Sequence, residues 1–324
     1  MFHGHDPPPM MDGPPPMIFV LLPTLGLSPF GLFGNINVII ATYRKKSLRS
    51  KCGILICLLA IYDTICLVFE VCGGIMAFND VWMDRQTCFK MDITYFYVQL
   101  ISISTVVGLA LDRLATVALP TKYRADNVIA MIITCTLPGL FFGVLFTILV
   151  IIHWDDENFY GPGCIPKMIF PSWIQNMANW TLVAMNAAVI VVYLAGYMVL
   201  FVQKLRFLKN TQVHSTLKSH QKAMKSMTVF LTVFSASWFY SQLVMSLFNP
   251  QNGPPSFVGF PVMIQLIPVA VIVSYSQCYY VYFWTSADYR AAFLEQLPCV
   301  KKWWKGKMVK TRVVTVAPYT TTKF

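Results

Sequence analysis

The charges that fall inside long apolar runs are where this sequence could do chemistry. Between Lys90 and Arg113 the chain carries Asp92 near the start and then no charge until Asp112, which forms a doublet with Arg113. A charged side chain in a membrane-spanning segment costs about 2.5–3.5 kcal/mol unless it is paired or reaches the interface. The doublet therefore has two readings: Arg113 snorkels to the headgroups as an ordinary anchor, or Asp112 holds it as part of a switch. A second run carries Asp63 and, one heptad on and roughly on the same face, Glu70. An unpaired carboxylate there would be neutralised by uptake of a proton. Asp63 is expected to find Asn35, Ser102, a bound cation or a proton, and Glu70, nearer the outside, to face a wet cavity.

Uncharged polar residues recur with helical spacing around these charges. Tyr95, Gln99, Ser102 and Arg113 fall with Val106 and Leu109 at steps of four, three, four, three and four, which is one face of a helix. Trp238 and Gln242 stand four apart in another apolar run, and Gln265 lies in the last one. Tyr95 and Gln99, with Trp238, Gln242 and Gln265 as further partners, are the candidate ligand contacts. Such a lining suits a neutral or weakly polar small molecule held by a few directional hydrogen bonds in an apolar pocket. Asn35, Asp63 and Ser102 form the candidate polar core. Of nine cysteines, only Cys88 and Cys164 lie clearly outside the apolar runs on the side that lacks basic loops. A bond between them would tie the start of the third run to the long loop 153–176 and restrict it. Cys72, in apolar surroundings, is expected to be a buried thiol. His153 stands alone, no cluster has metal-ligand spacing, and neither a cofactor nor an enzyme is expected.

The elements that must position these residues are helices. The 324 residues are 56% hydrophobic and only 12% charged, which excludes an ordinary soluble domain. Seven runs of spanning length occupy roughly 17–42, 53–78, 91–112, 127–152, 177–202, 227–248 and 257–284. Twenty-two of the 25 basic residues follow the first, third, fifth and seventh runs, so the positive-inside rule places the N-terminus outside and the C-terminus in the cytoplasm. The net charge of +11 then describes loops facing anionic lipid and protein partners, not nucleic acid. The fold class is an all-α membrane protein: a seven-transmembrane helix bundle over 17–284 behind an extracellular Pro-rich tail, 1–16. A short amphipathic cytoplasmic helix, 286–297, follows; Ser286 caps it and Tyr289, Phe293 and Leu297 face the inner leaflet. The basic tail 298–324 opens with Cys299 beside KKWWKGK, a candidate lipidation site. Asn179-Trp180-Thr181 matches a glycosylation sequon, but its place at the membrane edge favours a packed amide.

Together these residues resemble the rhodopsin-like G-protein-coupled receptors from Gly34 to Leu297. Cys88 precedes Arg113 by 25 residues, as the disulfide cysteine and the arginine of the Asp-Arg-Tyr motif do in that family. Gly34-Asn35 and Leu59-Ala60-x-x-Asp63 match its first two helix signatures. The chain departs from the pattern at Leu114 after the arginine, in Ser237-Trp238-Phe239-Tyr240, which lacks the proline, and in Cys278-Tyr279-Tyr280-Val281-Tyr282, which keeps only the final tyrosine of the last-helix motif. The first-helix NxNxI, LRSKCG, the DRL variant and the run YYVYFW to ADYRAAFLEQL look most like the nematode serpentine chemoreceptor group Srsx. The resemblance implies a receptor that binds an extracellular small molecule or peptide and activates a heterotrimeric G protein. Tyr95 stands where amine receptors keep an aspartate, and no lysine lies in 257–284 for retinal, so biogenic amines and retinal are disfavoured. The alternatives are a neuropeptide or modulator receptor of the same fold and, from a different class, a ligand-gated channel or secondary transporter with Asp63 and Glu70 on an ion path.

Overall fold

The computed structural model describes residues 17–79, 81–118, 127–153, 160–162, 164, 170–206, 211–247 and 260–298. The elements in chain order are α1 (Met17–Arg44), α2 (Lys51–Phe78), β1 (Trp82–Asp84), α3 (Arg85–Ala118), α4 (Val128–Ile152), β2 (Tyr160–Pro162), α5 (Ser172–Arg206), α6 (Thr211–Leu247), α7 (Phe260–Thr285) and α8 (Ala287–Gln296), with a 3-10 turn at Lys46–Leu48 between α1 and α2. Seven of these helices are long and apolar enough to cross a membrane, and the chain is a multi-pass membrane protein. Helices are what such runs must form, because the bilayer offers no partner for an unpaired backbone group. Several run on past the apolar stretches: α6 begins at Thr211, well before the apolar run near 227, and α3 begins at Arg85.

Helix α3 is the axis of the bundle. Its apolar window is 61% buried, against 28% for those of α4 and α5, so α3 sits inside while α4 and α5 show most of their surface to lipid. It packs on α2, α4 and α5; α7 packs on α1, α2 and α6. Glycine lets the backbones approach. A Cβ at Gly139 would stand 2.4 Å from the Leu100 carbonyl oxygen, and one at Gly143 would stand 2.7 Å from the Tyr97 ring. The pair is spaced as the small-xxx-small motif that allows close helix contact in membranes.

One end of the bundle carries a two-stranded antiparallel ribbon with Trp82 opposite Pro162 and Asp84 opposite Tyr160. Beside it Cys88 and Cys164 form a disulfide with Cα atoms 5.3 Å apart. Asp84 caps α3, accepting from the Thr87 N–H at 3.1 Å and the Thr87 hydroxyl at 2.6 Å. These donors hold its carboxyl below the usual carboxylate range.

At three places the structure corrects the sequence expectation. Cys72 is exposed on the outside of α2 instead of buried; an apolar run does not say whether a side chain meets protein or lipid. Helix α8 spends its apolar face on the bundle and not on the leaflet. Tyr289 and Phe293 are buried, with ring centroids 5.1 Å from Tyr282 and 4.4 Å from Tyr279 respectively, and Leu297 lies past the last turn. Burial pushes the Tyr289 phenol well above its usual range. Ser286 does occupy the N-cap position in extended backbone, but its side chain makes no cap hydrogen bond. The exposed pair Lys45–Glu295, at 2.5 Å, ties α8 to the turn after α1, a surface bridge worth about 0–1 kcal/mol.

Candidate functional site

Three helices converge on a polar cluster in the half of the bundle nearer the ribbon. Helical spacing brings Tyr95 and Gln99 to the same face of α3, and the heptad from Asp63 brings Glu70 round on α2. The Tyr95 hydroxyl donates to Glu70 Oε1 at 2.5 Å and lies 3.3 Å from the Tyr275 hydroxyl of α7; Gln99 Nε2 donates to the same tyrosine oxygen at 3.3 Å. From α1, Asn35 Nδ2 donates to the Tyr275 carbonyl at 2.9 Å. Deeper in, Ser102 donates to Asp63 Oδ1 at 3.2 Å. Of the partners the sequence offered for Asp63, the structure supplies Ser102, while Asn35 turns to α7. Glu70, expected at a wet cavity, is partly buried and takes a hydrogen bond from Tyr95. Among the described residues no cation pairs with either carboxylate.

An aromatic column leaves this cluster along α6 and α7. Trp238 meets Tyr275 edge-on at 6.2 Å and Phe234 at 6.1 Å; Phe230 follows at 6.2 Å from Phe234 and stacks on Tyr282 at 6.1 Å. Trp238 and Gln242 are both buried. Gln265 lies within α7, but its side chain is outside the described part, as is the whole of Cys299.

At the opposite end Arg113 folds back on its neighbour, with Nε and Nη2 at 3.0 and 2.5 Å from Asp112 Oδ2. Asp112 is buried and Arg113 partly so. Arg113 lines a half-open cleft of about 360 Å³, together with Cys52, Gly53, Met227, Tyr282 and Tyr289. Tyr282, the foot of the aromatic column, is thus also a wall of the arginine cleft. Helices α5 and α6 are held beside it: the Tyr193 hydroxyl donates to the Met224 carbonyl, and the hydroxyls of Tyr193 and Tyr197 lie 3.0 and 2.6 Å from that of Thr228.

This arrangement of seven spans, a disulfide at one end of α3 and an Asp-Arg pair near the other coincides with a family assignment. The model of the serpentine type 7TM GPCR chemoreceptor Srsx matches residues 28–297. The chain belongs to the Srsx family. No curated protein matches it.

As a GPCR-type chemoreceptor it comes from a family of receptors and not of enzymes. Two features of this Srsx receptor escaped sequence reasoning. Tyr275 is the hub of the polar cluster, and its only sequence signal was the heptad to Tyr282 in the tyrosine-rich run SYSQCYYVYFW. The bond between Glu70 and Tyr95 joins residues 25 apart on two helices; no local pattern announces it, because the relative rotation of α2 and α3 decides it.

Proposed function

We propose that this Srsx chemoreceptor binds an extracellular small molecule at the ribbon end and activates a heterotrimeric G protein at the Arg113 end, with its N-terminus outside and its C-terminus in the cytoplasm. Tyr95 and Gln99 contact the ligand, with Trp238, Gln242 and Gln265 as further partners; Asp112 and Arg113 form the resting latch. The reading rests on one observation: a connected run of side chains, Tyr95–Tyr275–Trp238–Phe234–Phe230–Tyr282, joins the polar cluster to the cleft that Arg113 lines. Helix α3 spans the same interval as one rigid element, about 27 Å from Tyr95 to Arg113 at 1.5 Å per residue. An agonist that prefers a rearranged Tyr275–Trp238 contact shifts the bundle toward the state that frees Arg113, by no more than its differential affinity for the two states.

The test is a ligand screen in cells reporting both cAMP and calcium, with a line lacking G proteins as control. Responses should disappear in that control, and Tyr95→Phe or Gln99→Leu should shift the potency of the agonists found. Currents that persist without G protein would instead support a ligand-gated channel, and potency unmoved by both substitutions would displace the site.

A further inference from the structure

Among the described residues the polar cluster holds a carboxylate but no cation. Glu70 keeps some accessible surface and takes one hydrogen bond, from Tyr95, while neither ion pair of the described residues involves it. A charged carboxylate in a membrane span without a counter-charge is costly and tends to take up a proton, and a cationic ligand supplies the counter-charge in the proton's place. The surroundings suit a cation. Phe69 and Tyr95 have ring centroids 6.0 Å apart, Tyr275 follows through its hydroxyl, and aromatic faces attract ammonium groups. Trp238, 4% exposed and edge-on to Tyr275 at 6.2 Å, adds a further aromatic ring to the same cluster, and its buried indole N–H, without a hydrogen-bond partner among the described residues, is a donor for an acceptor on the ligand.

The charge distribution along the sequence makes an independent argument. The whole chain is strongly basic, yet the tail, loops and helix ends on the side opposite the basic loops hold eight acidic residues, the run Asp155-Asp156-Glu157 among them, against Arg85, Lys90 and Lys167. One of the eight, Asp92, lies on α3 three residues before Tyr95. A mouth of one sign concentrates ligands of the other.

We propose that the ligand of this receptor carries a positive charge and that Glu70 is its counter-ion, with the hydroxyl of Tyr95 orienting the carboxylate. The ligand class is an organic amine or quaternary ammonium of small size. The proposal rests on the receptor reading above and revises two expectations: a neutral or weakly polar ligand, which followed from the uncharged polar lining, and the disfavouring of amines, which followed from Tyr95 standing where amine receptors keep an aspartate. In this bundle the neighbouring helix supplies the carboxylate to that tyrosine.

The experiment uses the full chain in lipid nanodiscs and matched probes of equal shape: 2-phenylethylamine against 2-phenylethanol, hexylamine against hexanol, and tetrapropylammonium. Binding is read from thermal stabilisation and from tryptophan fluorescence. The cationic member of each pair should bind and its alcohol should not. Glu70→Gln should weaken cation binding roughly 10- to 100-fold, whereas Glu70→Asp should retain the preference for charge. If Glu70→Gln does not reach the membrane, the wild-type comparison of amine with alcohol decides alone. Equal binding of amines and alcohols, or an amine preference that survives Glu70→Gln, overturns the proposal. A neutral agonist that signals through the G protein and is indifferent to Glu70→Gln overturns the counter-ion but keeps the receptor, whereas amines that bind and never signal in any G-protein line keep the counter-ion and remove the receptor.

Discussion

Replacing Gly139 by alanine tests the contact that sets α4 against the central helix. A methyl group there would lie 2.4 Å from the Leu100 carbonyl oxygen, 2.6 Å from Ile101 Cα and 2.7 Å from Ile101 N. All three are backbone atoms, so no side chain can rotate away and the helices must part. Overpacking of this kind costs about 1–3 kcal/mol, and backbone contacts put Gly139 at the upper end. Against it stands the better helix propensity of alanine, about 0.5–1 kcal/mol. The balance is a net loss on the order of 1–2 kcal/mol. Gly26 and Gly73 are the controls, since a Cβ at either meets nothing within 4 Å and only the propensity gain remains. At roughly 2–4 °C per kcal/mol, Gly139→Ala should melt several degrees below Gly73→Ala. The assay is thermal unfolding of purified receptor followed with a thiol-reactive dye, for which Cys66, Cys135 and Cys278 are buried reporters. A melting temperature for Gly139→Ala equal to or above that of Gly73→Ala would refute the close approach of α3 and α4.

At the latch, Arg113→Ala should abolish signalling while agonist still binds, and Asp112→Asn should raise basal signalling. Because Asp112 is 5% exposed, taking the Arg113 cation from it costs up to about 3–5 kcal/mol, so the comparison is made at equal surface density; normal signalling by Arg113→Ala would return the arginine to a membrane anchor. Cys88→Ser or Cys164→Ser should lower surface expression, since losing a native disulfide costs about 2–5 kcal/mol in small secreted domains, and non-reducing peptide mapping of the wild type should recover the two cysteines linked. The Asp84 cap should be pH-dependent. Its depressed pKa means that its contribution is complete above the unfolded value near 3.9 and is lost as pH falls through the folded value below it. Hydrogen exchange at residues 85–88 should quicken over that acid range in wild type and show no such step in Asp84→Ala.

Spans are legible in a sequence because lipid imposes one rule on every residue: a long apolar run must satisfy its own backbone, and the only way within one segment is a helix. The seven helices, the buried stripe from Tyr95 to Leu109 and the neighbourhood of Asp63 and Ser102 all follow from length and from the 3.6-residue period. The end of the chain after the seventh span showed its helix by the same period, but not what covers Tyr289 and Phe293, since an apolar face fits a leaflet and a bundle equally well. Cys72 is the same ambiguity with the opposite outcome. What only the tertiary structure decided is how each helix is turned about its axis. That rotation sets Glu70 on Tyr95, makes Tyr275 a hub for three helices, and stacks Phe230 on Tyr282 beside the arginine cleft. It comes from close packing around residues such as Gly139 and Gly143. Packing sums over many neighbours from distant parts of the chain, whereas periodicity needs only the neighbours on one helix.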